Sequence, residues 1–451
     1  MSAIALLMGL LVLSYLGSLL VGLGKTKGGL ASGIEFIGLG FIVGPHALGV
    51  LDRPIITEFE PVVQVAIGWF AFVIGLDFGR VEGRRVRTAS TILGIACALL
   101  TGVVVAVAVW QTLHRVPHAW IDDPGILLLA AGAGAVTAET ARNAVEWVQA
   151  RWHAKGPISR LLVDIGASDD LAPFVAAGAI FAMAPSTEMK LDLPAYGWFG
   201  ASFALGAGLG IVTAMLLRGA EGDAVWGALI GTILLAVGAA ARFGLCTAFI
   251  TFVMGIALAA ASPSRRALRK MVGPTERAVL YPMLLLAGAR IDLRPLAANR
   301  MLTAIVALVL VARIVAKLLS GLVVRASTPA ARPAGPLMGI VMLSSGPVSI
   351  ACGLVFALRF PGAVGDTLLV CAVASALLGE IVATLSLRAL FIDTGEIQPA
   401  STAAATVPPP PPMSSATSVV PPPRPSTVPP PLHDGLSSEK MAVAPESGDD
   451  L

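Results

Sequence analysis

Between Ile4 and Leu390 the chain is a succession of apolar stretches, each close to the roughly 20 residues a helix needs to cross a bilayer core about 30 Å thick. With 56% of its 451 residues hydrophobic and only 13% charged, it lacks the polar surface of two or three water-soluble domains. Length therefore counts helices here, and lipid is the expected solvent. The net charge is only +3, and Lys and Arg stand in short blocks between the apolar stretches. That pattern argues against a nucleic-acid partner and makes the blocks informative about topology. Cys97, Cys246, Cys352 and Cys371 lie inside apolar stretches without metal or redox spacing and are read as packing residues. No cofactor and no resident metal is expected.

Read between Gly, Pro and charge clusters, the stretches predict an all-α integral membrane protein of about thirteen transmembrane helices. The expected spans are 3–23, 30–49, 61–77, 89–111, 124–148, 159–184, 196–217, 224–241, 245–261, 275–291, 301–324, 335–358 and 363–391. The first has no basic leader and no small-residue cleavage site, so it is read as a retained helix rather than a signal peptide. An odd number of spans places the termini on opposite sides. Loops after the odd-numbered spans carry the larger share of Lys and Arg, including Arg80, Arg84, Arg85, Arg87, Arg265, Arg266, Arg269 and Lys270. The amino terminus is therefore expected outside and the carboxyl terminus in the cytoplasm. Residues 1–393 form the expected transmembrane domain, and 394–451 a disordered tail with proline runs at 408–412, 421–423 and 429–431. A solvated tail and a ligand for an unknown proline-recognising partner are both open readings.

Landmarks recur in order at offsets near 210. Gly44 matches Gly255, Asp77 matches Asp292, a polar break at Thr137 matches one at Ser344 to Pro347, and Asp170 falls opposite Glu380. Corresponding spans are an odd number of crossings apart, so two five-helix repeats are expected to insert with opposite orientation. Their two broken helices would then cross near the midplane, where inverted-repeat transporters place substrate.

Three clusters carry chemistry. In LLVDIGASDDLAPFVAAGAIFA, Asp169 and Asp170 fall near the middle of a helix otherwise fit for lipid. Carboxylates are costly there, so such a pair is read first as a functional site. Consecutive helix positions diverge by about 100°, which divides labour between the two. Pro173 lacks an N–H and is expected to leave the Asp169 carbonyl without its helical donor. The interrupted segments GAGAVTAETARNAVEW and IVMLSSGPVSIACG offer Thr137, Glu139, Thr140, Ser344 and Ser345 as liners of an unwound cavity facing half-helix dipoles. Arg142 and Glu146 are read as a local ion pair, and Glu35 and Asp164 as polar lining or interfacial residues. In ALVLVARIVAKLLSGL, Arg313 lies near the helix centre and Lys317 one turn away on the same face. A buried guanidinium stays charged whereas a buried lysine can release its proton, so the two offer different counter-charges.

In this order the landmarks GFIVGPHALG, FVIGLDF, the Asp169–Asp170 pair, LLLAGARIDL, the basic helix, the SSGP break and GEIVATLSLRALFIDTGEI resemble the monovalent cation/proton antiporter superfamily, in its thirteen-helix sodium/hydrogen exchanger form. The resemblance spans about residues 30 to 396. It implies a homodimer with a dimerisation and a mobile core subdomain, in a bacterial inner or plasma membrane. It implies exchange of Na+ or K+ for H+, with Asp170 as principal carrier and Asp169 paired to the basic residue of the later helix. That residue is commonly lysine, and Arg313 and Lys317 both compete for the role; Glu139 stands where a small residue or proline is commoner. Two other function classes are open: a sodium-coupled organic-anion symporter on the same plan, and a non-transporting sensor or scaffold signalling through the tail. No nucleophile and base pair or phosphate loop points to an enzyme.

Overall fold

The computed structural model describes residues 33–81, 84–116, 121–184, 193–219 and 222–397. The expected span 3–23 and the proline-rich tail lie outside the described residues. Helices α1 (Glu35–Val43), α2 (Arg53–Glu58) and α3 (Glu60–Asp77) lead to a short hairpin, β1 (Arg80–Val81) and β2 (Arg84–Arg85). There follow α4 (Thr88–Arg115), α5 (Asp123–Thr137), α6 (Arg142–Trp152), α7 (Pro157–Gly166), α8 (Leu171–Met183), α9 (Ala195–Leu216), α10 (Asp223–Phe243) and α11 (Thr247–Ala261). The chain continues through α12 (Arg265–Val272), α13 (Thr275–Arg290), α14 (Arg294–Ala298) and α15 (Arg300–Ser327). A 3-10 turn (Pro329–Ala334), α16 (Leu337–Val341), α17 (Pro347–Arg359) and α18 (Ala363–Asp393) complete it.

Every expected span within the described residues has its helix or broken helix, and eight are long and apolar enough to cross a membrane. The long helices α4 and α15 turn Ile92, Val103, Val311 and Leu322 outward, each more than half exposed, as a lipid-facing surface requires. The span expected at 30–49 is shorter than anticipated, because α1 ends at Gly44 and the chain turns back through residues 44–48. All four cysteines are buried and unpaired.

Packing divides the described helices into two groups. One contains α1, α3 and α9 to α13; the other contains α4 to α7 and α15 to α18; α8 touches both. Arg290 at the end of α13 crosses the seam to the Ala357 carbonyl of α17, at 3.0 Å.

The inverted repeat is visible in how α3 and α13 lie. Glu60 at the start of α3 pairs with Arg290 at the end of α13 (2.5 Å), whereas Arg269 joins Asp77 at the end of α3 (2.6 Å) to Glu276 at the start of α13 (3.5 Å). The helices carrying the repeat-related Asp77 and Asp292 are thus antiparallel. Beyond α13, Asp292 is held by Arg294 (3.0 Å), by Arg53 and by His46 (3.6 Å). The Arg294 hydrogen bond, foremost, draws its carboxyl well below the usual carboxylate range, to about 2.

Glycine sets the helix contacts. Gly40 of α1 lies against the Leu285 carbonyl of α13, and Gly288 of α13 against the Ile37 carbonyl of α1. The repeat-related pair does the same: Gly255 of α11 meets the Phe72 carbonyl of α3, and Gly75 of α3 meets Phe252 of α11. Small residues allow this backbone approach where helices gain nothing by hiding apolar surface from lipid. Gly288→Ala drives a methyl group into a backbone oxygen that no rotamer can move, at a cost of about 1–3 kcal/mol or more. The expected result is a melting temperature in detergent lower by several degrees; an unchanged one would count against the crossing.

Candidate ion-binding site

Both interruptions read from the sequence are present. Residues 138–141 separate α5 from α6, residues 342–346 separate α16 from α17, and the two breaks touch: the Ala141 N–H donates to the Ser344 carbonyl at 3.2 Å. Gly346 permits the approach, since a Cβ there would press on Ala141 and the Glu139 carboxylate. Gly379 of α18 lets that helix lie against the backbone of Leu343 to Ser345.

A broken helix leaves carbonyls without donors and N–H groups without acceptors. Arg313, fully buried on α15, answers the first need. Its Nε donates to Thr137 O (3.1 Å), Nη1 to Leu343 O (2.9 Å) and Ser375 O (3.4 Å), and Nη2 to Glu139 O and Ser344 O (both 3.1 Å). Its five N–H donors therefore meet five carbonyls drawn from both breaks and α18. Glu139 answers the second need: its carboxylate accepts the Ser349 N–H at 2.5 Å, at the positive end of the half-helix α17. One break thus supplies the acid that caps the helix leaving the other.

Lys317, also fully buried, donates to the Ala138 carbonyl and to Thr140 Oγ1, both at 2.8 Å. Thr140 in turn donates its backbone N–H to Asp169 Oδ2 at 2.7 Å. The chain of contacts Lys317–Thr140–Asp169 joins the cation of α15 to the first aspartate through the break. Asp169 Oδ1 is buried without a hydrogen-bond partner. Asp170 is 8% exposed, and among the described residues no hydrogen bond to its carboxylate is found.

The aspartates do not sit within a continuous helix, as expected from the sequence, but in a tight turn at residues 167–170 between α7 and α8. The Asp169 carbonyl is not left open by Pro173; it accepts the Ala172 N–H at 3.1 Å, one residue short of the helical spacing. The turn closes the vacancy that proline opens.

The structure brings together Thr137, Glu139, Thr140, Asp169, Arg313, Lys317, Ser344 and Ser345, all buried, with Asp170 beside them. Two hydroxyls are occupied locally, Thr137 Oγ1 donating to Ala133 O (2.7 Å) and Ser345 Oγ to Ser349 Oγ (2.9 Å), whereas Thr140 Oγ1 accepts from Lys317 and Ser344 Oγ donates to the Ala141 carbonyl of the other break (3.5 Å). Backbone atoms carry most of the remaining contacts at the crossing. Arg142 pairs with Glu146 at 3.2 Å, as read. Asp164, read as polar lining or interfacial, is buried and pairs with the half-exposed Arg84 (2.6 Å). Glu396 escaped notice in the sequence: it accepts the N–H groups of Ile158 (2.7 Å) and Ser159 (2.9 Å), capping the start of α7, the helix that leads to the aspartates. Gly395, at φ +72°, turns the chain back for that contact, and a Gly after a helical run was its one sequence signal.

No family model and no curated protein matches the sequence. Two solved structures of MjNhaP1, a sodium proton antiporter from Methanocaldococcus jannaschii, are similar. One aligns at a TM-score of 0.62 over 87% of this chain and 99% of that chain with 15% identity, the other at 0.62 over 88% and 100% with 16%. Agreement over almost the whole length of those chains, at an identity that speaks to architecture alone, shows that this all-α integral membrane protein has the sodium/proton antiporter fold.

Proposed function

We propose that the protein exchanges a monovalent cation, Na+ or K+, for H+ across a membrane by alternating access. The observation that carries this reading is a buried aspartate with one unpartnered oxygen beside a second aspartate, at the place where two broken helices cross. At the crossing itself the three buried acids Glu139, Asp169 and Asp170 stand against the two buried bases Arg313 and Lys317. With both bases charged, a single proton balances that excess, and an entering cation must displace it, because a carboxylate cannot usefully hold both. Exchange follows from the competition. The group containing α4 to α7 and α15 to α18 holds the site and acts as the moving body, rocking against the other group so that the site faces each side in turn.

The two cations divide their roles. Arg313 spends all its donors on the backbone of the breaks and of α18 and serves as a fixed strut. Lys317 is linked to Asp169 through Thr140 and is the counter-charge that can give up its proton when a cation takes the aspartates. That assignment favours electrogenic exchange, with the lysine proton carried in addition to the aspartate proton. The cluster of Arg80, Arg84, Arg85, Arg265 and Arg266 supports a cytoplasmic placement for the ends of α3 and α11.

Proteoliposomes with an imposed pH gradient test the reading, with Na+, K+, Li+ and Rb+ added in turn and proton release followed by a fluorescent dye. Release driven by at least one of these cations, faster when a membrane potential favours net charge movement, is the expected result. Silence with all four would remove the function; release indifferent to voltage would remove Lys317 as proton carrier and leave it, like Arg313, a fixed counter-charge.

A further inference from the structure

At the end of α3 an open cavity of about 790 Å³ lies on the seam between the two helix groups. Arg80, Arg265, Arg266 and Lys270 reach it from one group, Arg142 and Lys155 from the other. Its two acids are already engaged, Asp77 with Arg269 at 2.6 Å and Glu146 with Arg142 at 3.2 Å. Among the described residues, Arg80, Lys155, Arg265, Arg266 and Lys270 have no carboxylate partner. Arg265 is aimed by backbone, donating to the carbonyls of Leu76 (2.5 Å) and Phe78 (3.2 Å). Burial first, then the charge of Arg80, lowers it from the usual guanidinium value.

A basic loop that only sets topology needs positive charge near the membrane surface. It does not need guanidinium groups converging on one concavity from two bodies, one of them oriented by hydrogen bonds against the repulsion of its neighbours. A cavity with this charge also repels an entering Na+ or K+, so it is ill suited as a simple cation funnel. Arginine forks match phosphate oxygens, and the volume lies in the range of small-ligand sites.

We propose that this cavity is a binding site for a phosphate-bearing anion with two or more negative charges, held from both helix groups at once. The same chemistry is offered by a phospholipid headgroup and by a soluble polyphosphate. The proposal concerns binding and does not rest on the exchange reading, so each can fail alone.

The full chain in nanodiscs of zwitterionic lipid is titrated with inorganic pyrophosphate by calorimetry, at a physiological salt level that screens exposed charges beyond about 8 Å. A second arm dopes the nanodiscs with phosphatidic acid and counts retained anionic lipid by native mass spectrometry. Arg266 and Lys270 are exposed, so R266A/K270A leaves the core intact. Expected is saturable binding in at least one arm, weakened about tenfold or more by R266A/K270A and comparably by K155A on the opposite wall, and kept within a few-fold by R266K/K270R. Pyrophosphate alone identifies a soluble ligand, phosphatidic acid alone a headgroup, and both the shared phosphate chemistry. Binding in neither arm, or binding indifferent to R266A/K270A, overturns the proposal.

Discussion

Arg313→Met is expected to give a chain that does not reach its folded state, or does so with a stability lower by well over 5 kcal/mol. The side chain length is nearly conserved, but the carbonyls of Thr137, Glu139, Leu343, Ser344 and Ser375 lose their donor inside the buried crossing. Each orphaned buried acceptor costs about 1–3 kcal/mol, and Glu139 and the aspartates lose a compensating charge as well. Arg313→Lys keeps the charge but offers three donors on a shorter arm, so at least two of the five carbonyls stay open. It is expected to fold with a melting temperature well below that of the wild type. Heating in detergent followed by size-exclusion chromatography measures both; a methionine variant as heat-resistant as the parent would show that the guanidinium is not the strut of the crossing.

Asp170→Asn is expected to lower cation-driven proton release at least about 100-fold while leaving the protein folded. Asparagine has nearly the same shape, and no hydrogen bond to the Asp170 carboxylate is there to be broken. What disappears is the carboxylate proposed as principal carrier of proton and cation in turn. An amide takes up neither the proton nor the cation, and a loss of two decades in rate corresponds to about 2.7 kcal/mol. Asp169→Asn tests a different step. Its amide oxygen can still accept the Thr140 N–H, so the fold survives, but Lys317 loses the acid at the far end of the relay. Strongly reduced exchange, with weakened voltage dependence in whatever activity persists, is the expected outcome. Full-speed exchange by Asp170→Asn with an intact pH dependence would place the carrier elsewhere.

The membrane architecture was legible because spans announce themselves by length and hydropathy, and their ends by Gly, Pro and charge. The aspartate pair was legible for the converse reason: acids in an apolar run have no inexpensive explanation. The breaks could be found from Thr137 to Thr140 and from Ser344 to Pro347 because polar residues and proline interrupt apolar sequence there. Their mutual contacts could not, since Arg313 binds main-chain oxygens and a carbonyl has no signature in a sequence. Arg84 and Asp164, or Glu396 and Ile158, meet across folds of the chain, and nothing local in either partner names the other. The turn at residues 167–170 was bracketed by Gly166 and Pro173, yet each alone is tolerated in a membrane helix, and the read of one continuous span followed from that tolerance.

The reciprocal glycine seams have a bearing on how the protein is made. During synthesis α1 enters the bilayer long before α13 exists, and its Gly40 groove faces nothing that fits until Gly288 arrives. Likewise α3 waits for α11. Neither half of the polypeptide can complete these two seams by itself, so in the first half α1 and α3 must persist with their glycine faces uncovered. Two halves produced as separate chains would close the seams only on meeting each other.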